Sequence, residues 1–361
     1  MGQARATEMI VFRIGVVGPL TGPNAQAGND SANGVRLALE KANAAPGVVG
    51  GRQVRFEGTF LDDAGDPRLA VVAAQKLCDM NVVGVVGHVT SGAAVAAAGV
   101  YEGCGIPNLS PSATSPELTR LGYKNTFRLT ANDARAAGAM ARFVAKHKLV
   151  DKRVAIIDDR TSYGEGFASA FEKAAGEAGL SIVAREFTQA HAVDLTGQLL
   201  AIKRTRPDVL VFAGMYGQAA LLLRQMQRLR MENIDLVGGD GICTDLLPSL
   251  LVGAKEVSVY CVEGGEPTSQ SPKATAFRRY YETRFPNQYV GNAMYAYDAT
   301  LVLASAVLRA QGNHLGVRDQ LSHLTYDGLT GRIQFDQRGD RVDAKVSVYR
   351  LSKEGRKLVE W

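Results

Sequence analysis

The sequence predicts an α/β protein of two lobes, each built on a parallel central sheet. Three observations predict it. Strand-like apolar runs alternate with helical patterns along most of the chain, the signature of βαβ units. The rhythm restarts near residue 131. At 361 residues the chain is long for one hydrophobic core, and two domains are the natural prior.

In the first half FRIGVVGPL reads as a strand and DSANGVRLALEKANAA as a helix, with Val35, Leu39 and Ala42 on one face. RFEGTFLDD is the next strand and LAVVAAQKLCD its helix. VVGVVGH and IPNLS follow as strands with a helix between them. After the restart, ARAAGAMARFVAKH is a helix, RVAIIDD a strand and GEGFASAFEKAAGEAG a helix. SIVAREF, the helix LTGQLLAIKRTR and PDVLVFAG continue a second sheet of the same plan. QAALLLRQMQRLR then leads to IDLVGGDG, a strand ending in a polar glycine corner. The repeat is one of rhythm, without residue identity. KATAFRRYYETRF and MYAYDATLVLASAVLRAQG read as long helices, followed by the β-rich GRIQFDQRGDR and KVSVYRLSKEG. Such a tail returns the chain to both lobes, which become Rossmann-like halves joined by a multi-strand hinge. A ligand cleft is then expected between them. The expected bounds are 10–132 with 264–340 for lobe 1, and 133–263 with 341–361 for lobe 2.

Composition excludes several function classes. The net charge of +5 is spread without a Lys/Arg block, so a nucleic-acid partner is not expected. No apolar run approaches the roughly 20 residues of a membrane span. The start, MGQARATEMIVFRIG, lacks the basic n-region and continuous apolar stretch of a secretory signal. That leaves a cytosolic protein or a mature form without its signal. Cys78, Cys104, Cys243 and Cys261 show no CxxC spacing, so zinc is not expected. A Cys78–Cys104 disulfide and separate buried thiols are both open, and so is the state of Cys243 and Cys261. No metal and no cofactor is expected.

Two serine/threonine-rich corners carry the functional signal, GHVTSGAAV at 87–95 and LSPSATSPELT at 109–119. Each follows a short apolar run and opens a helical pattern. Backbone N–H groups and hydroxyls would therefore meet at the carboxyl edge of a parallel sheet, where open α/β sheets bind ligands. Helix N-termini there carry partial positive charge. Ser91, Thr114 and neighbouring amides suit a small carboxylate. Taken singly, Ser91 and Thr114 are as well explained as helix caps, and Ser115-Pro116 reads as a cap with proline at the first helical position. His88, His147, His191, His314 and His323 show no metal spacing. His88 beside Ser91 suggests a hydrolase, but without a GxSxG elbow it is taken as structural. DQRGDR at 336–341 reads as a β-turn rather than a calcium loop. GVVGPLTG lacks GxGxxG, which argues against a dinucleotide.

GVVGPLTGPNAQAGND, LDDAGDP, GHVTSG, LSPSATSPELT, DRTSYGEG, VGGDG and YAYDAT occur in this order over nearly the whole chain. With these stretches the chain resembles the periplasmic binding proteins of branched-chain amino acid transporters, of the type I fold. The resemblance implies a receptor that closes over an amino-acid-like ligand and hands it to the membrane permease of an ABC importer. It implies no enzymatic activity and a periplasmic location. Residue by residue it implies that Ser91, Ser112 and Thr114 hold the α-carboxylate. Tyr163 reaches across from lobe 2, and Asp240 pairs with the α-ammonium. Ala27 stands where branched-chain binders carry tryptophan, which frees on the order of 100 Å³. Met215 stands where tyrosine is common, and Tyr289 where an aromatic wall is expected. The ligand side chain is therefore expected to be larger than leucine or differently shaped, such as an aromatic amino acid, an aromatic acid or an amide. The family disulfide between the LDDAxDP and GHxxS stretches is missing, because Gly65 and Thr90 occupy its positions. The alternative is a cytosolic ligand-sensing regulator of the same fold, sensing an amide or amino acid. An enzyme using Ser91 or His88 is the third reading.

Overall fold

A computed structural model describes residues 9–147, 153–250, 257–267, 270–288 and 291–360. It divides into two units. The first draws on residues 1–113, 118–130 and 268–343, and the second on 114–117, 131–267 and 344–361.

The chain opens in the first unit with β1 (Met9–Gly18), α1 (Ala25–Ala44), β2 (Val48–Val49) and β3 (Arg52–Asp62). It continues through α2 (Pro67–Asp79), β4 (Gly84–Val86), α3 (Ser91–Cys104), β5 (Asn108–Ser110), α4 (Glu117–Arg120) and β6 (Thr126–Arg128). The second unit begins with α5 (Asp133–His147), β7 (Arg153–Asp158), α6 (Ser162–Glu177), β8 (Ser181–Phe187) and α7 (Thr196–Arg204). Next come β9 (Val209–Ala213), α8 (Tyr216–Arg228), β10 (Asp235–Gly238), a 3-10 turn (Asp240–Ile242), α9 (Leu246–Ser249) and β11 (Val259–Gly264). The chain returns to the first unit for α10 (Pro272–Arg284), α11 (Ala293–Arg309), α12 (His314–His323) and the hairpin β12 (Tyr326–Gly328) to β13 (Gly331–Ile333). It ends in the second with β14 (Val346–Ser352) and β15 (Gly355–Glu360).

Local chemistry sets several of these boundaries. Asp66 caps α2 by accepting from Arg68 N at 2.7 Å, with Pro67 at the first helical position. Thr161 caps α6 through Gly164 N at 3.0 Å, and Ser271 caps α10 through Ala274 N at 3.2 Å. α3 stops at Gly105, whose φ of 71° is the left-handed conformation of a helix C-terminus.

Both units share one topology. The first sheet runs β2-β3-β1-β4-β5-β6, parallel except for β2. The second runs β15-β14-β11-β10-β9-β7-β8, parallel from β11 to β8. In each the first parallel strand lies between the next two parallel strands of the chain, β1 between β3 and β4 and β7 between β8 and β9, which puts a topological switch point beside it. That is β1/β4 in one unit and β7/β9 in the other, and loops at such points bind ligands. Helices cover both faces, so the strands are apolar throughout rather than alternating. Ile14, Val16 and Phe56 pack with Val302 and Leu303 of α11 on one face of the first sheet. Val17 and Val85 pack with Leu77, Ala97 and Tyr101 on the other. In the second unit Ile156 and Val211 face α5 and α6, while Ile157 and Phe212 face α7 and α8.

Several elements lie beyond the sequence reading. β11, α12, β15 and three-residue β6 were not expected. β11 (VYCVEG) completes the second sheet by pairing parallel with β10 and antiparallel with β14, where Val259 meets Leu351 and Gly264 meets Val346. Both cysteine pairs form disulfides, Cys78–Cys104 and Cys243–Cys261, which resolves the choice left open above. Thr114–Glu117 clusters with the second unit, because the Thr114 carbonyl accepts from Asp133 N at 2.8 Å at the start of α5.

DQRGDR forms a turn in which Asp336 Oδ1 accepts from the backbone N–H groups of Arg338 at 2.8 Å and Asp340 at 2.9 Å. Its second aspartate is spent on packing. Arg128, fully buried, places Nε 2.7 Å from Asp340 Oδ1, Nη1 3.0 Å from the Ala113 carbonyl and Nη2 2.8 Å from Thr119 Oγ1. Removing one partner of such a pair leaves the other without compensation, which costs about 3 kcal/mol or more. Arg128→Met is therefore expected to lower stability by at least ~3 kcal/mol in urea unfolding. A change below ~1 kcal/mol would contradict this account of the pair.

Candidate functional site

In the first unit the loops after β4 and β5 are laced together. Gly87 N donates to the Leu109 carbonyl at 3.0 Å. Ser110 Oγ donates to the His88 carbonyl at 2.7 Å and accepts from Ala113 N at 3.0 Å. Ser112 Oγ donates to the Val89 carbonyl at 2.8 Å. The hydroxyl protons of Ser110 and Ser112 are thus committed to the scaffold, and these bonds tie the two corners together. Ser112 is left with its oxygen lone pairs and its backbone to offer a ligand.

Ser91 is buried and begins α3, so it does not cap it. The cap position belongs to Thr90, which makes no side-chain cap bond. The first-turn N–H groups of a helix have no intrahelical partner and carry partial positive charge. Thr90 Oγ1 is itself buried without a hydrogen-bond partner. Thr90, which the sequence reading noted only at a position of the missing family disulfide, thereby becomes a further candidate site residue.

Beneath this corner His88 is fully buried. Its Nδ1 lies 2.6 Å from Asp63 Oδ2 and its Nε2 3.0 Å from the Tyr101 hydroxyl. Both ring nitrogens are occupied, which agrees with a structural role. The other aspartates of LDDAGDP also tie loops down. Asp62 accepts from Leu20 N at 2.8 Å and from Thr21 Oγ1 at 2.6 Å, fixing the loop before α1, and Asp66 caps α2. Ala27 follows that loop, half-buried in the first turn of α1. Gly28 beside it admits no side chain, since a Cβ would lie 2.0 Å from the Pro19 carbonyl oxygen.

The second unit brings Tyr163 and Asp240 together. Tyr163 enters from the start of α6 after β7, and Asp240 opens the 3-10 turn after β10. The Tyr163 hydroxyl accepts from Gly241 N at 2.9 Å and donates to the Asp240 carboxylate. Its ring packs against Phe167 in the core, so this phenol acts within its own unit as a brace for Asp240. Gly241 is demanded by the fit, because a Cβ would stand 2.5 Å from the Gly214 carbonyl oxygen. Burial raises the Asp240 carboxyl to about 6, opposed by the Tyr163 bond and reinforced by the negative Glu263. Burial, then Asp240 and Asp133, push the Tyr163 hydroxyl well above its ordinary range, so it stays a donor. Met215 sits between β9 and α8, half-buried against the same core. Thr114 is buried in this unit as well. Tyr289 lies outside the described residues.

Among the described residues no cluster of three or more His, Cys, Asp or Glu side chains is placed to hold a metal. No described helix is long and apolar enough to cross a membrane. What the arrangement offers is an anion grip of hydroxyls and amides in one unit and a braced carboxylate in the other.

A family model described as periplasmic binding protein matches residues 11–356. The leucine-, isoleucine-, valine-, threonine- and alanine-binding protein of Pseudomonas aeruginosa is 30% identical over 344 residues, covering 95% of this chain and 90% of that one. Among solved structures, leucine-binding protein LivK of Thermotoga maritima matches with a TM-score of 0.86 at 25% identity, covering 96% of this chain and 97% of that one. The branched-chain amino acid transporter substrate-binding protein LivJ of Streptococcus pneumoniae, in complex with isoleucine, matches with a TM-score of 0.84 at 27% identity, covering 98% and 100%. The chain belongs to the periplasmic binding protein family.

The Tyr163 brace makes a direct prediction. Because its hydroxyl holds the Asp240 carboxyl down, Tyr163→Phe is expected to move Asp240 further above about 6. Carbon-detected NMR titration of the aspartate carboxyls reads this. An unchanged or lowered Asp240 midpoint would show that the phenol does not brace it.

Proposed function

We propose that this chain is an extracytoplasmic solute-binding receptor that captures a free amino acid and delivers it to the permease of an ABC importer. The observation that carries the proposal is Asp240, a carboxylate held half-buried by the Tyr163 hydroxyl at the edge of a parallel sheet. A carboxyl raised by burial gains most from a cation that takes the place of its lost water. In this reading Asp240 takes the α-ammonium. The α-carboxylate goes to Ser91, the Ser112 backbone, Thr114 and the orphaned Thr90 hydroxyl. Charge-assisted hydrogen bonds of this sort contribute roughly 1.5–3 kcal/mol each. Ala27 and Met215 meet the side chain in this reading, and the small Ala27 leaves room for one larger than leucine. The chain is not an enzyme in this reading: His88, the base that the sequence sets beside Ser91, is spent on Asp63 and Tyr101. Both disulfides favour a periplasmic location over the cytosolic sensor, because such bonds persist in oxidising compartments.

The test is a thermal-shift screen of ligand-stripped protein with branched, aromatic and polar L-amino acids, simple amides and aromatic acids. A ligand at a hundred times its Kd adds about 2.7 kcal/mol. Stabilisation by amino acids supports the reading, and stabilisation by aromatic acids alone removes Asp240 as an ammonium partner.

The pH dependence follows from the sign of the shift. The ammonium needs ionised Asp240, so affinity is full above about 6 and falls about tenfold per pH unit below it. Calorimetry at pH 7 and pH 5 is expected to differ by about an order of magnitude. Equal affinities would contradict the assignment. A raised carboxyl also destabilises the ligand-free fold once ionised, a stability lost as pH rises through about 6. Asp240→Asn should therefore raise the Tm of the ligand-free protein at pH 7 while abolishing the amino-acid shift. A lower Tm together with retained binding would contradict both halves.

A further inference from the structure

The turn that carries Asp240 is anchored from the far end of the chain. Within the turn, Cys243 N donates back to the Asp240 carbonyl at 3.0 Å. Cys243 is joined through its sulfur to Cys261 on β11, at the position that pairs with Gly238 of β10. Its carbonyl accepts from Arg356 Nη1 at 3.1 Å, and the same nitrogen lies 2.7 Å from Glu263 Oε2. Arg356 Nε is 3.4 Å from Asp245 Oδ1 just beyond the turn, and the guanidinium lies over the Tyr349 ring at 5.3 Å. The Arg356 side chain is only 13% exposed. A surface arginine would be worth little, but this one is held by four groups of three different segments. Among the described residues, Asp240 interacts with Tyr163 of α6 and Glu263 of β11, Tyr163 with Asp133 of α5, and Glu263 with Arg356 of β15, Asp245 after the turn and Tyr349 of β14. Arg356 is the cation among them.

We propose that Arg356 is a positioning residue for ammonium recognition, holding the Asp240 turn in register through the Cys243 carbonyl and Glu263. The proposal rests on the amino-acid receptor reading. Arg356 touches no ligand in this account. It keeps the turn from relaxing outward and keeps Glu263 compensated, so that Asp240 meets the ammonium with one geometry and one charge. Because a single nitrogen makes both contacts, one ammonium placed there can replace it. The Cys243–Cys261 bond holds the same turn from the sheet side.

The experiment uses the full, oxidised chain as parent, Arg356→Met and Arg356→Lys. Hydrogen exchange of the ligand-free proteins follows residues 239–246, with residues 87–95 as the internal reference. Calorimetry follows L-leucine, L-phenylalanine and L-alanine as probes. Arg356→Met is expected to speed exchange in the turn about tenfold, leave the reference unchanged and weaken probe binding about tenfold. Arg356→Lys is expected to stay within about threefold of the parent in both. A parent that binds a probe while Arg356→Met binds it equally well overturns this proposal and leaves the receptor reading standing. Faster exchange at the reference as well, or no recovery by lysine, marks a merely structural residue and also overturns it. A parent that binds none of the three probes overturns the receptor reading for them and the proposal with it.

Discussion

A carboxylate held part-way out of water at a sheet edge is the constraint on which the second unit turns. Asp240 cannot be hydrated freely there, and burial alone would leave it protonated. The Tyr163 phenol, donating to the carboxylate and accepting from Gly241 N, offsets part of that penalty. This bond exists because β7, β9 and β10 are parallel neighbours, so the start of α6 and the turn after β10 emerge at the same edge. Glycines at 239 and 241 let backbone and ring approach closely. The disulfide to Cys261 and the Arg356 contacts then hold the turn from its other side.

The first unit meets a different requirement and solves it without charge. Its corner is made of helix-start amides and hydroxyls, wired together by Ser110 and Ser112 and supported from below by the Asp63–His88–Tyr101 chain. Neutral donors at a helix N-terminus suit an anion, and a braced carboxylate suits a cation. These are the two charged ends of the amino acid proposed as ligand. The same strand order in the two units therefore presents opposite chemistry at equivalent edges.

Much of the fold was legible because both sheets are buried on both faces. Runs such as VVGVVG and VLVFA are apolar at every position, and their alternation with amphipathic helices names the class. β11 escaped notice for the opposite reason. Tyr260 and Glu263 interrupt its apolar pattern, and half its pairing comes from β14, far along the chain. The Cys78–Cys104 disulfide could be named as an option but not decided, and both bridges depend on tertiary neighbours: the ends of α2 and α3 meet, and the turn at 243 meets β11. Within the candidate site, Ser91, Ser112, Tyr163 and Asp240 were named by motif, but motif says nothing of the direction of their protons. Ser112 turned out to be spent on Val89, and Tyr163 on Asp240, because hydrogen-bond partners are set by tertiary neighbours rather than by spacing. Thr90 stood in the sequence only as a residue of the missing family disulfide, and its unpartnered hydroxyl depends on tertiary burial that spacing does not show.

The most direct test of a zwitterion-binding site is one calorimetric comparison on the unmodified protein. The best-binding L-amino acid is titrated beside its desamino acid and its decarboxylated amine, which share its side chain. Complementary corners predict that each analogue binds at least about a hundredfold more weakly than the amino acid, because each leaves one buried partner unmet. An analogue acid that binds as tightly as the amino acid would contradict the account, because Asp240 would then have no cation to meet.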